Sequence, residues 1–472
     1  MSGDRQTPAQ EQAAGTTGAT AAAVTPPGKP AIRLSGRLAR FLQTDLSSQL
    51  DPAVQATVLV AFLDTVGCIL SGRQEPVTQK TAAWIRSRYL TRDEASWLLS
   101  GTRFSAAGAA MINAVSGHAL DLDDVALTGH PSVVLVPVLL AESDRSGLRG
   151  GALVEAYVKG YEVWADLLKR FPAPLHDKGW HPTAVLGTLA ATGALCAARR
   201  LPEEQTRNAL GIAASLASGL VANFGSMTKP FHAGMAAEQG FAAVELAELG
   251  MTASQDALDG PTGLLTALSP HGTPDYDSPC AGPDSLTIRT VRPSVKKYPV
   301  CYAGHRVIDG VLALRAAHSP AVEDIERIDV QISATNAQVL KYPAPTTALE
   351  AKFSMQFACA AALAFGQVGM HQLVDESLQD SAVQHLMPRV HVEPIEAGCP
   401  LEPGFALHDR VRITLKGGQV LDSGPIRFAL GHAQHPLSPE QIRAKVLDCA
   451  GPQDEALALH WINDLTERLR IA

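Results

Sequence analysis

Residues 117–132 read GHALDLDDVALTGHPS and bring together His118, Asp121, Asp123 and Asp124, with His130 following between Gly129 and Pro131. Three chemistries fit such a set. The carboxylates can be the solvated end of a helix. Asp121, Asp123 and Asp124 with a histidine can hold Mg²⁺, Mn²⁺ or Zn²⁺, as in a metal-dependent hydrolase or a diphosphate enzyme. Or an aspartate can orient a histidine for proton transfer without any metal. Spacing alone does not separate the last two.

Later segments supply further basic groups. His181 stands in KGWHPT, directly before an apolar stretch, where a helix N-terminus favours an anion. Lys229 and His232 stand in TKPFHAG, and a lysine in such apolar company is expected to clamp a carboxylate. His305 closes KKYPVCYAGH, with Tyr298 and Cys301 before it. A cysteine four residues from a histidine is a weak nucleophile signal and more often a buried thiol.

Helices must position these groups. Asp51 and Pro52 are an N-cap and first-turn pair for a core helix ending at Gly72. Ala-rich residues 105–120 lead into the acidic stretch, and apolar helices are expected near 133–141, 152–171, 183–200 and 203–222. Residues 269–284 are rich in Pro, Gly, Asp and Ser and mark a boundary. Beyond it the period changes to two. Ile328, Val330 and Ile332 alternate, as do Val411, Ile413 and Leu415 before a Gly417-Gly418 turn and Val420. Helices are expected between them, near 304–317, 352–365 and 372–386. Ser438-Pro439-Glu440-Gln441 is a capping box for a closing helix. The expected architecture is mainly α: a large all-helical domain with an inserted, smaller α+β lid. Its parts are a disordered tail (1–33), the helical domain (34–275), the lid (286–430) and C-terminal helices (431–472) that rejoin the first domain.

Composition narrows the function classes. The chain has 472 residues, 46% hydrophobic and 18% charged, enough for a sizeable core. A net charge of −8 leaves no basic footprint, so no nucleic-acid partner is expected. Seven scattered cysteines without a CxxC pair point to reduced thiols and a cytoplasmic location. No membrane association is expected, since the longest uncharged apolar run, 183–198, falls short of about 18–20 residues. A non-enzymatic helical scaffold is a further reading of the Ala-rich helices, but a scaffold needs no convergent His/Lys pocket.

Set in order, LDTVGCILSG (63–72), HALDLDD…GHPS (118–132), KGYEVWADL (159–167), GWHPTAVLGTLAA (179–191), ALGIAAS (209–215), MTKPFHAGMAAEQG (227–240), KKYPVCYAGH (296–305) and KFSMQFACAAAL (352–363) resemble the MmgE/PrpD family. Its members include 2-methylcitrate dehydratases, cis-aconitate decarboxylases and iminodisuccinate epimerases, and the resemblance covers roughly residues 36–460. It implies a homodimer that takes a small carboxylate substrate and needs neither metal nor organic cofactor. It also implies pocket roles for Asp121, His130, His181 and Lys229, with the second-domain residue offered by Cys301 or His305. Catalytic roles are therefore expected of Asp121, His130, His181, Lys229 and His305. Substrate-binding roles are expected of His232, Asp124, Tyr161, Cys301 and Lys297. The decarboxylase branch has a threonine directly after its paired aspartates, where this chain has Val125. The expectation is thus a hydro-lyase acting on a citrate-like di- or tricarboxylate, with a decarboxylase or epimerase of the same fold as the alternative.

Overall fold

The computed structural model describes residues 33–88, 92–98, 100–396, 398–402 and 404–471; the expected tail falls almost wholly outside them. Nearly all of the first 270 described positions that form regular structure are helical, as their apolar continuity predicts. The exception is a two-residue pairing of β1 (Ala95–Ser96) with β2 (Arg103–Phe104). The Pro52–Gly72 helix starts where Asp51 accepts from the Ala53 and Val54 amides. It is the one described helix long and apolar enough to cross a membrane. Its Asp64 is buried and ion-paired with Lys445, which belongs in a protein interior rather than in lipid.

Four helices carry the site: Ala106–His118, Pro131–Ser146, Pro182–Ala198 and Thr228–Glu248. Their mutual packing is close because small residues line the contacts. A Cβ on Gly234 would lie 2.4 Å from Val115 Cγ2 and 2.8 Å from the Met111 carbonyl. Only glycine lets the Thr228–Glu248 helix approach Ala106–His118 this closely. The helix expected over 203–222 stops at Leu216, and Gly219 (φ 148°) turns its carbonyl to the His181 amide at 3.0 Å.

The C-terminal region is mixed. β3 (Ile325–Ser333), β4 (Val390–Ile395), β5 (Arg410–Leu415) and β6 (Val420–Asp422) form a sheet of order β4-β3-β5-β6. Ile328 lies opposite both Val390 and Ile413. β5 and β6 form the hairpin expected from Gly417-Gly418. β4, parallel to β3, escapes the sequence reading because VHVEPI is short, mostly solvent-facing and interrupted by Pro394. Helices His305–His318 and Met355–Phe365 pack on this sheet and share its core. A separate, larger core joins the N-terminal helices to Val446, Ile462 and Leu465 of the helices Pro439–Ala450 and Glu455–Arg468. The capping box forms as read: Ser438 accepts from the Gln441 amide, and Gln441 returns the bond.

Candidate active site

Three helix N-termini meet at one place. His130 caps Pro131–Ser146, His181 caps Pro182–Ala198, and Lys229 and His232 lie in the first turns of Thr228–Glu248. Each end adds a partial positive charge beside the basic side chain it carries. The acidic stretch folds back across them. Ala106–His118 ends, Asp121 adopts a left-handed conformation (φ 56°), and Val125 pairs with Ser294 through both backbone bonds at 2.9 Å. Leu127 and Thr128 then make a two-residue turn with φ of 50° and 59°, closed by Ala126 and Gly129. This conformation ordinarily calls for Asn and Gly. Trp164 holds it by donating its indole N–H to the Leu127 carbonyl at 3.1 Å.

Asp121 is the hub. Its Oδ1 lies 2.6 Å from Lys229 Nζ, 3.2 Å from Lys296 Nζ and 3.8 Å from His130 Nε2. Lys296 also donates to the Asp121 carbonyl at 2.7 Å. Burial alone would raise this carboxyl; the two ammonium groups reverse the effect and hold it well below the usual range. Asp123 plays the same part for two histidines, at 2.9 Å from His118 Nδ1 and 3.0 Å from His130 Nδ1. His130 Nδ1 also donates to the Asp124 carbonyl at 2.9 Å. That fixes its tautomer and leaves Nε2 to take or give a proton. His181 and His232 face each other Nδ1 to Nδ1 at 3.1 Å, so one donates and the other accepts. Burial and the neighbouring cations keep both neutral, His181 most strongly. Burial likewise lowers His118 to about 4.

His130, His181 and Lys229 line a cavity of about 470 Å³ that the C-terminal region closes with Ser294, Tyr302, Glu402, Phe405 and His432. The other expected residues fall elsewhere. His305 is fully buried in the sheet core; its Nε2 donates to the Val300 carbonyl, and burial drives it to about 3, so it is a structural group. Tyr161 is buried with its hydroxyl on the Val291 carbonyl and supports the cavity wall from behind. Asp124 points away, taking the Ser132 hydroxyl, and burial beside Asp64 raises it well above the usual range. Lys297 is exposed, with its ammonium over the Tyr298 ring. Cys301 is half-buried near Asp121 and Lys296, and burial followed by the Asp121 charge pushes its thiol up.

Lys296 was missed. In extended chain, successive side chains point opposite ways, so one of Lys296 and Lys297 had to turn inward; the sequence did not say which. Lys445 was missed too. From the Pro439–Ala450 helix it reaches Asp64 and, at 3.0 Å, the Leu122 carbonyl, tying down the acidic stretch.

The donor set of His118, Asp121, Asp123 and His130, all within 4.8 Å of one another, has the composition of a metal site. Its two carboxylates are already engaged. Two lysines occupy Asp121 and two ring N–H groups occupy Asp123, so a divalent cation would sit against ammonium groups. The arrangement fits carboxylate binding and metal-free proton transfer.

Comparison with known proteins agrees in length and order. The MmgE/PrpD N-terminal domain matches residues 36–277 and the MmgE/PrpD C-terminal domain residues 298–460. A cis-aconitate decarboxylase of Mus musculus is 30% identical over 402 residues, covering 81% of this chain and 80% of the relative. The Homo sapiens cis-aconitate decarboxylase is 29% identical over 401 residues, 81% of each chain. That of Aspergillus terreus is 25% identical over 434 residues, 86% of each.

Proposed function

Because the chain belongs to the MmgE/PrpD family of enzymes, we propose that it is a cofactor-independent lyase that removes carbon dioxide from a cis-aconitate-type polycarboxylate. The names of its relatives favour this reaction over the loss of water that the sequence put first. One observation carries the reading: Lys229, His130 and His181 converge from three helix N-termini on a single cavity.

Lys229 and the helix ends bind the carboxylates. The bond between one carboxylate carbon and its neighbour breaks, and carbon dioxide leaves. The electron pair stays on the substrate, spread over the conjugated double bond and a second carboxylate, where the cationic wall stabilises it. His130 Nε2, which takes up a proton from solvent before the reaction, then gives it to that carbon and completes the product, one carboxylate poorer. Asp121 acts through Lys229, and Asp123 through His130, by fixing charge and tautomer. Loss of water is the second reading, favoured by the hydrogen-bonding C-terminal wall of the same cavity.

The test is incubation with cis-aconitate and with citrate, followed by ¹³C NMR. Release of carbon dioxide from cis-aconitate is expected. His130→Asn and Lys229→Met should each lower kcat/KM by about 10²-fold or more. Full turnover in both variants, or no reaction with any di- or tricarboxylate, would overturn the assignment.

A further inference from the structure

A second cavity, of about 500 Å³, shares no lining residue with the first. It is enclosed by the helices Leu34–Gln43 and Gly150–Leu168 and by the corner where Pro182–Ala198 passes into Glu203–Leu216. His181 heads Pro182–Ala198 at the first cavity, and Cys196, near the other end of that helix, lines the second. At 1.5 Å per residue the two positions are about 20 Å apart.

The lining joins an apolar surface to a cationic floor. Leu42, Ala152, Ala156, Leu201 and Pro202 supply the apolar part. Burial pushes the Cys196 thiol up to about 12, so it stays neutral and adds to that surface. Lys159 lies on the same helix face as Ala152 and Ala156 and is buried, with its Nζ 2.5 Å from Glu155 Oε1. An ammonium has three N–H groups, and among the described residues only Glu155 pairs with this one. Arg200 stands exposed at the mouth and adopts a left-handed conformation (φ 52°), its amide on the Ala197 carbonyl at 3.1 Å. Glycine is the usual residue at such a helix end. Arginine adds a guanidinium that makes no ion pair or hydrogen bond among the described residues.

The acids of the lining are less available. Asp45 accepts from the Ser47 amide at 2.8 Å; its hydrogen bonds with Ser47 hold its carboxyl below the usual range, and Lys159 and Arg200 add a smaller pull. Glu155 is held by Lys159. The unfilled hydrogen-bonding capacity is therefore cationic. A ligand ammonium would meet Lys159 and Arg200, and the two carboxylates would repel the further charges of a polyanion.

We infer that this cavity is a second ligand site, built for an aliphatic monocarboxylate whose head group pairs with Lys159 and whose chain lies along Leu42, Ala152, Ala156 and Leu201. Octanoate is the probe, with octanol and tricarballylate as controls for charge and for the chain. Calorimetric titration of wild type and of Lys229→Met, which removes the main cation of the first cavity, should show one octanoate bound per chain with the same Kd. In Lys229→Met the two controls should bind about tenfold more weakly or worse. Lys159→Met should weaken octanoate about tenfold or more, and Ala152→Phe should block it. Glu155→Gln should tighten octanoate about two- to threefold, because it frees the third N–H of Lys159; a purely structural ion pair would not give that sign. If Lys159→Met fails to fold, Glu155→Gln and Ala152→Phe decide. No octanoate binding, equal affinity for octanol, binding untouched by Ala152→Phe, or binding lost in Lys229→Met instead would each overturn the inference.

Discussion

Lys296 sets the charge of Asp121, and removing it has a measurable size. The side chains are 2% and 13% exposed and 3.2 Å apart. Coulomb's law at an effective dielectric constant of about 20 puts the attraction near 5 kcal/mol. Desolvation offsets part of it, and breaking such a buried pair costs about 3 kcal/mol. Lys296→Met should lose that much stability at pH 7. Asp121→Asn should lose a similar amount, because it strands Lys229 and Lys296 side by side. The double variant should fall short of the sum by about 2–3 kcal/mol. The sign with pH follows from linkage. Asp121 has a depressed folded pKa, so its contribution is present above the unfolded value of about 3.9 and is lost as pH falls through the folded value. Lys296→Met removes one of the two cations that depress the folded value and so raises it toward the unfolded one. The gap between wild type and variant should therefore be widest near pH 7 and narrow as pH falls toward and below 4. Urea denaturation followed by circular dichroism across that range measures it. Additive losses within about 0.5 kcal/mol, or a gap independent of pH, would refute the hub role of Asp121.

Burial lowers His305 to about 3, so its proton is excluded from the folded state and acid should destabilise the protein from about pH 6.5 downward. At pH 4.5 this one group costs about 2.7 kcal/mol, and His305→Gln should flatten the urea-midpoint profile while keeping most of kcat. Lys445→Met leaves the buried Asp64 unpaired and frees the Leu122 carbonyl; a loss of about 3–5 kcal/mol is expected in denaturant titration, with turnover falling too. Gly234→Ala drives a methyl into Val115 and the Met111 carbonyl, so it should cost about 1–3 kcal/mol and raise KM by shifting Lys229, as melting curves and kinetics would show. Exhaustive chelation should leave turnover unchanged, since lysines and ring N–H groups already engage the two carboxylates a metal would need; loss of activity restored by added Mg²⁺ or Mn²⁺ would count against that.

Much of the fold is legible because its signals are local. Asp51 and Ser438 cap the helices their spacing announces, and the Gly417-Gly418 hairpin forms. β4 is not legible, because a short parallel edge strand containing Pro394 has little periodicity of its own. Within the site, Asp121, His130, His181, Lys229 and His232 come together as their segments foretold. What failed is direction. His305 and Tyr161 lie in the right segments but turn into cores, and Lys297 points outward where Lys296 points in. Glu402 and His432 carry no local motif, and only the tertiary fold brings them to the cavity.

The bond from Lys445 to the Leu122 carbonyl spans 323 positions of sequence. During synthesis the acidic stretch therefore leaves the ribosome long before its clamp exists. At about 5–20 residues per second the interval is roughly 15–65 seconds. Throughout it Asp64 lacks its cation, and the Pro52–Gly72 helix lacks the apolar face of Pro439–Ala450 that covers it. The nascent chain should thus be inactive and chaperone-dependent for most of its synthesis, and activity should arrive as a step when residues 439–450 dock.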